Sequence, residues 1–144
     1  MHRCPRNCGR LLESIPEPVR LLLDTNVFLW WQWRDPLLPA AARVAIDDGE
    51  NDVVVSAATI WEIGIKRRIG KLDFDGSAVT ACSDAGFELL DMTASHAEAA
   101  GDLPRHHGDP FDRMLIAQAR LEHLTIVTRD PQFGAYEVPV LDLR

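Results

Sequence analysis

Arg20-Leu21-Leu22-Leu23-Asp24-Thr25-Asn26 is the stretch on which the reading of this chain turns. Three consecutive leucines bounded by polar residues read as a short strand buried on both faces, as in a parallel sheet covered by helices. An acid ends that strand. In a parallel α/β sheet, strand ends and the helix starts that follow them face one crevice, where ligands bind. Working outward, three more acids occupy comparable places. Asp130 closes the run Leu124-Thr125-Ile126-Val127-Thr128, and Glu62 and Asp112 fall in the first turns of two predicted helices. Four carboxylates gathered at one edge repel one another and hold protons. A divalent cation relieves that conflict, and hard cations such as Mg²⁺ prefer oxygen ligands. The chain therefore reads first as a carboxylate metal site.

The alternation of strand and helix signals predicts an α/β fold with a central parallel sheet of about five strands and helices on both faces. Strands are expected at 20–23, 52–55, 87–90, 124–128 and 138–141. Helices are expected at 26–33, 39–48, 57–69, 76–85, 93–100 and 110–122. Ser56 is placed to cap the helix at 57, Gly49, Gly70 and Gly86 to stop helices, and Thr93 to start one. Residues 20–144 form one domain, and residues 1–19 are read as a flexible N-terminal extension, consistent with an upstream start codon. Pro16 and Pro18 break any helix leading into the first strand.

Composition narrows the function. A net charge of −7 argues against a general polyanion binder, because a basic surface supplies most non-specific affinity for nucleic acid. The charge is uneven, however: Lys66, Arg67, Arg68 and Lys71 form a local basic stretch suited either to phosphate contact or to the solvated end of a helix. No apolar run approaches the roughly 18 residues of a membrane span. Arg3, Arg6 and Arg10 lack the apolar segment of a secretory signal, so a cytoplasmic protein is expected. Three cysteines do not build a disulfide framework. Cys82 reads as a small core residue, and His2, Cys4 and Cys8 lack the second ligand pair of a zinc site.

Each candidate has a plain reading beside the chemical one. Asp24, Thr25 and Asn26 all cap helices, but three together exceed what capping needs; Asp24 suits a metal, with Thr25 and Asn26 orienting it. Glu62 shares a predicted apolar stripe with Ala58, Ile65 and Ile69, and a carboxylate there needs a partner. Lys66 four residues on is the simple partner; a metal shared with Asp24 is the other. Asp109 before Pro110 reads as an N-cap, and Asp112 stands where a capping box puts an acid. The same pair would also make a cation site. Arg113 suits a carboxylate or a substrate phosphate. Asp130 before Pro131 reads as a turn or as a ligand opposite Asp24. His106 and His107 read as rim residues. Trp30, Trp31 and Trp33 cannot all face one core from a short helix, so one or two are expected to be buried and the rest to mark a protein interface.

Four stretches together resemble the PIN domain, and within it the VapC-type toxins of bacterial toxin–antitoxin pairs. They are Leu21-Leu22-Leu23-Asp24-Thr25-Asn26; Ser56-Ala57-Ala58-Thr59-Ile60-Trp61-Glu62-Ile63; Asp109-Pro110-Phe111-Asp112-Arg113-Met114-Leu115-Ile116-Ala117-Gln118-Ala119; and Val127-Thr128-Arg129-Asp130. The likeness runs from about residue 20 to residue 142 in matching order and spacing. It implies a PIN-like three-layer α/β/α fold and a Mg²⁺- or Mn²⁺-dependent endoribonuclease that hydrolyses RNA and inhibits translation. It implies that Asp24, Glu62, Asp112 and Asp130 are catalytic and metal-ligating, with Asp109 as a secondary metal position. Thr25, Asn26, Ser56 and Thr128 are then supporting residues, and Lys66, Arg67, Arg68, Lys71 and Arg113 would meet the RNA. A cognate antitoxin and a homodimer are the partners implied. Some members carry Asn at the fourth position and an acid a few residues later; here those later residues are Gln132 and Phe133, so Asp130 serves alone.

Two rivals follow from the same residues. One is a catalytically silent binding module of PIN fold, its cleft covered by a partner's basic side chain. The other is a phosphotransfer enzyme or receiver domain, which is disfavoured because Asn26 stands where an Asp-x-Asp motif needs its second acid and no isolated acceptor Asp closes the third strand.

Overall fold

The computed structural model describes residues 19–106 and 108–143. The N-terminal extension expected at 1–19 falls outside these residues except for Val19, as do His2, Cys4, Cys8 and His107. The element order is β1 (Arg20–Leu23), α1 (Thr25–Trp33), α2 (Ala40–Asp47), β2 (Asp52–Ser56), α3 (Ala57–Arg68), α4 (Ala78–Ala85), β3 (Glu88–Leu90), α5 (Ala94–Asp102), α6 (Pro110–Glu122), β4 (Thr125–Thr128), a 3₁₀ turn (Pro131–Ala135) and β5 (Val140–Asp142). The predicted boundaries differ mainly where strands are short: β3 and β5 begin one and two residues later than the apolar runs suggest. No helix among the described residues is long and apolar enough to cross a membrane.

All five strands are parallel, in the order β3-β2-β1-β4-β5. β1 is therefore central, with Leu22 in register with Val54 on one side and Ile126 on the other. Side chains alternate across the sheet. Leu21, Leu23, Val53, Val55 and Val127 join α1, α2 and α4 in one apolar layer, and Leu22, Val54 and Ile126 join α6 in the other. Helix α3 closes the side, with Ala58 in one layer and Ile63 in the other. This is the three-layer α/β/α arrangement. Cys82 is fully buried in the first layer, and burial raises its thiol pKa to about 11.

Local chemistry sets the helix ends. Ser56 accepts the backbone N–H of Ala58 and so caps α3. Gly86 ends α4 at a φ of 78°, a conformation that costs glycine nothing and other residues more. Thr93 caps α5 by accepting the N–H of His96, whose Nδ1 accepts the N–H of Thr93 in return. That reciprocal bond fixes the tautomer: with Nδ1 an acceptor, the buried His96 donates from Nε2 to Glu122 at 2.9 Å.

The order of the strands reverses between β1 and β4, and such a split leaves a crevice beyond the strand ends. The whole site depends on β1 keeping its place. Leu22→Ala is expected to lower folding stability by about 2–5 kcal/mol, against less than about 0.5 kcal/mol for the half-exposed Leu37→Ala. Chemical denaturation of both variants reads the difference.

Candidate metal centre at the carboxyl edge of the sheet

Asp24 stands at this split. It follows β1 directly, and its backbone N–H donates to the Val127 carbonyl of β4 at 3.1 Å. Oδ1 accepts the N–H of Val27 at 2.8 Å, capping α1, and Oδ2 accepts the Thr128 hydroxyl. Thr128 Oγ1 in turn accepts the N–H of Asp130 at 2.9 Å. One hydroxyl thus ties the ends of β1 and β4 together and brings two acids to the same place. Asp130 caps the 3₁₀ turn by accepting the N–H of Gln132.

Glu62 enters from α3. It lies in the second turn, not the first as expected, and its side chain is buried. The Thr25 hydroxyl donates to Oε1 at 2.7 Å, and the Lys66 ammonium donates to Oε2 at 2.6 Å. Since Thr25 spends its proton on Glu62, the Thr59 hydroxyl donates to Thr25 at 3.1 Å. Thr59 was not singled out from the sequence, although it precedes Glu62 by three residues and so shares its helical face. The apolar stripe expected alongside Glu62 is corrected: Ala58 is buried, but Ile65 and Ile69 are exposed.

Asp109 and Asp112 enter from α6. Asp109 Oδ1 accepts the N–H groups of Phe111 and Asp112, at 2.8 and 3.1 Å, with Pro110 at the first helical position. This is the cap read from the sequence. It leaves Asp112 in the first turn, half-buried.

The acids lie near enough to one another for their charges to matter. Burial raises the Asp112 pKa to about 8, and the negative charges of Asp109, Asp24, Glu62 and Asp130 add to the rise. Asp24 is raised to about 6 by burial, offset by the hydrogen bonds from Thr128 and Val27, with Asp130 and Glu62 adding smaller increments. The Lys66 pKa is raised by its hydrogen bond to Glu62, with Asp109 and Asp112 contributing. Among the described residues, no three His, Cys, Asp or Glu side chains are gathered closely enough to hold a metal ion as they stand. The donor chemistry nevertheless fits a hard divalent cation: carboxylate and hydroxyl oxygens, with repulsion that such an ion would relieve.

The remaining candidates separate. Asn26 is exposed and makes no side-chain hydrogen bond with the described residues. Ser56 is wholly buried and acts as a cap. Arg67 donates to the carbonyls of Phe74 and Gly76, so its guanidinium holds the loop after α3. Arg113 donates to the carbonyls of Ala100, Leu103 and Pro104 at 2.8–3.0 Å. Arg68 and Lys71 are exposed cations. His106 is exposed, with its ring edge on Tyr136. None of the three tryptophans is fully buried. Trp30 lies under the Arg129 guanidinium, Trp31 packs on Phe87 and donates to Asp47, and Trp33 is exposed.

Residues 21–139 match the PIN domain family, and the chain belongs to it. No curated protein matches the sequence. Solved structures share the fold. A chain of VapBC2 from Rickettsia felis, bound to a promoter DNA fragment, is 14% identical over 88% of this chain and 100% of that one, with a TM-score of 0.60. A chain of FitAcB from Neisseria gonorrhoeae is 25% identical over 83% and 95%, with a TM-score of 0.57. A chain of a toxin–antitoxin complex from Klebsiella pneumoniae is 19% identical over 83% and 94%, with a TM-score of 0.60.

The raised pKa values have a thermodynamic consequence. Folded Asp24 and Asp112 hold protons that the unfolded chain releases near its ordinary carboxylate pKa, 3.8. Their contribution to stability is complete below that pKa and is lost as pH rises through about 6 and then about 8. In a chelator, the melting temperature is expected to fall between roughly pH 4 and roughly pH 8, and Asp112→Asn should remove the part of that fall above about pH 6. A melting temperature that does not respond to pH in this window would contradict the electrostatic picture of the pocket.

Proposed function

We propose that this PIN domain protein is a metal-dependent endoribonuclease acting as the toxin of a toxin–antitoxin pair. The observation that carries the reading is the gathering of acids at the split of the sheet, where Thr128 ties Asp24 to Asp130, Thr25 holds Glu62, and the charges of Asp24, Glu62, Asp109 and Asp130 bear on Asp112. Asp24, Glu62, Asp112 and Asp130 would hold Mg²⁺ or Mn²⁺, with Asp109 beside them. A divalent ion bound there supplies an acidified water and neutralises charge on a phosphodiester undergoing in-line hydrolysis.

The chain's own part is to hold charged groups where water alone would not keep them. Thr128 and the Val27 N–H orient Asp24; Thr25, itself held by Thr59, orients Glu62; the Asp109 cap sets the first turn of α6 and with it Asp112. The exposed Arg68 and Lys71 would attract an RNA backbone, while Arg67 and Arg113 donate to backbone carbonyls. The toxin role, inhibition of translation and a cognate antitoxin partner are supported by the PIN family match and by the fold shared with chains of VapBC2, FitAcB and a toxin–antitoxin complex. A homodimer in the cytoplasm completes the proposal.

The test is cleavage of RNA by the purified protein with Mg²⁺ and with a chelator. Asp24→Asn and Asp112→Asn are each expected to reduce cleavage by more than the roughly 10- to 100-fold typical of losses behind a metal's ligands. The chelator is expected to abolish it. Near-normal Mg²⁺-dependent cleavage by Asp24→Asn would overturn the assignment.

A further inference from the structure

Lys66 is a candidate RNA contact and the i+4 helical partner of Glu62, and its position supports a third role. Its ammonium stands 2.6 Å from Glu62 Oε2, and the negative charges of Asp109 and Asp112 also bear on it. It is a cation already seated among the acids that a divalent ion would need. The two partners differ in freedom. The Glu62 side chain is 7% exposed and is held on its other oxygen by Thr25, whereas the Lys66 side chain is 41% exposed. A four-carbon stem at that exposure can swing into water; the buried carboxylate cannot. If either partner leaves, it is the lysine.

We propose that Lys66 is the pocket's built-in counter-cation: it holds Glu62 until a divalent ion displaces it, and so sets how tightly the site takes metal. The inference rests on the metal-dependent reading above. It explains how Glu62 can stand beside the other acids without an ion. A positive charge lodged there repels a second, so metal affinity is lower than the carboxylates alone would give.

Isothermal titration of the purified full chain with Mn²⁺ tests this. Lys66→Met keeps most of the stem and removes the charge, and Arg120→Met removes one charge from the exposed face of α6 as a control. Lys66→Met is expected to bind Mn²⁺ about three- to tenfold more tightly than the natural chain, with Arg120→Met unchanged. The metal-free Lys66→Met protein should also melt at a lower temperature and gain more from Mn²⁺. Affinity that is unchanged or weaker in Lys66→Met overturns the role of Lys66, and a lowered melting temperature with an unaltered gain from Mn²⁺ shows a purely structural ion pair. If the natural chain and Lys66→Met both fail to bind Mn²⁺, the metal-dependent reading falls with it.

Discussion

Like charges crowded at one end of a sheet are the constraint that the rest of this structure answers to. Asp24, Glu62, Asp109, Asp112 and Asp130 come from the end of β1, from α3, from the start of α6 and from the turn after β4, and the charges of the other four bear on Asp112. Such a cluster opposes folding unless each carboxylate is given donors. Every nearby device does this. Thr128 and Val27 serve Asp24, Thr25 and Lys66 serve Glu62, and the first N–H groups of α6 serve Asp109. The donors are mostly hydroxyls and backbone amides, which orient a carboxylate without cancelling its charge. Lys66 is the exception, and it is the partner most able to leave.

The strand order explains why the acids meet at all. With β1 central and the order reversing between β1 and β4, the chain leaves these two strands in opposite directions, toward β2 and toward β5, and their ends border a crevice. Asp24 and Thr128 lie on its two sides, joined by one hydrogen bond between residues 104 positions apart in the chain. Helices α3 and α6 then bring Glu62 and Asp112 to the same end.

Much of this was legible in advance, and the reasons are specific. Leu21-Leu22-Leu23 and the run at 124–128 are too short and too apolar to be anything but buried strands between turn signals, and Asp109-Pro110 marks a helix start by chemistry alone. The caps at Ser56, Thr93 and Asp109 all proved to be caps. What the pattern did not reveal was how the basic residues are used. Arg67 and Arg113 look available to a ligand, but their donors close on backbone carbonyls whose positions depend on loops with no periodicity to read. The stripe beside Glu62 was misjudged for a related reason. Helix α3 lies at the side of the sheet, so Ile65 and Ile69 face outward despite their helical spacing from Ala58. Of the three tryptophans, Trp30 and Trp31 are partly covered by Arg129 and Phe87, and Trp33 is exposed.

Arg113 follows Asp112 directly and reaches back to the last turn of α5 and the segment beyond it. Carbonyls at a helix C-terminus lack internal donors and carry partial negative charge, so a guanidinium there is well matched. The guanidinium thus moors the first turn of α6, which also carries Asp112, to residues 100–104, a corner that contributes no carboxylate of its own to the acidic edge.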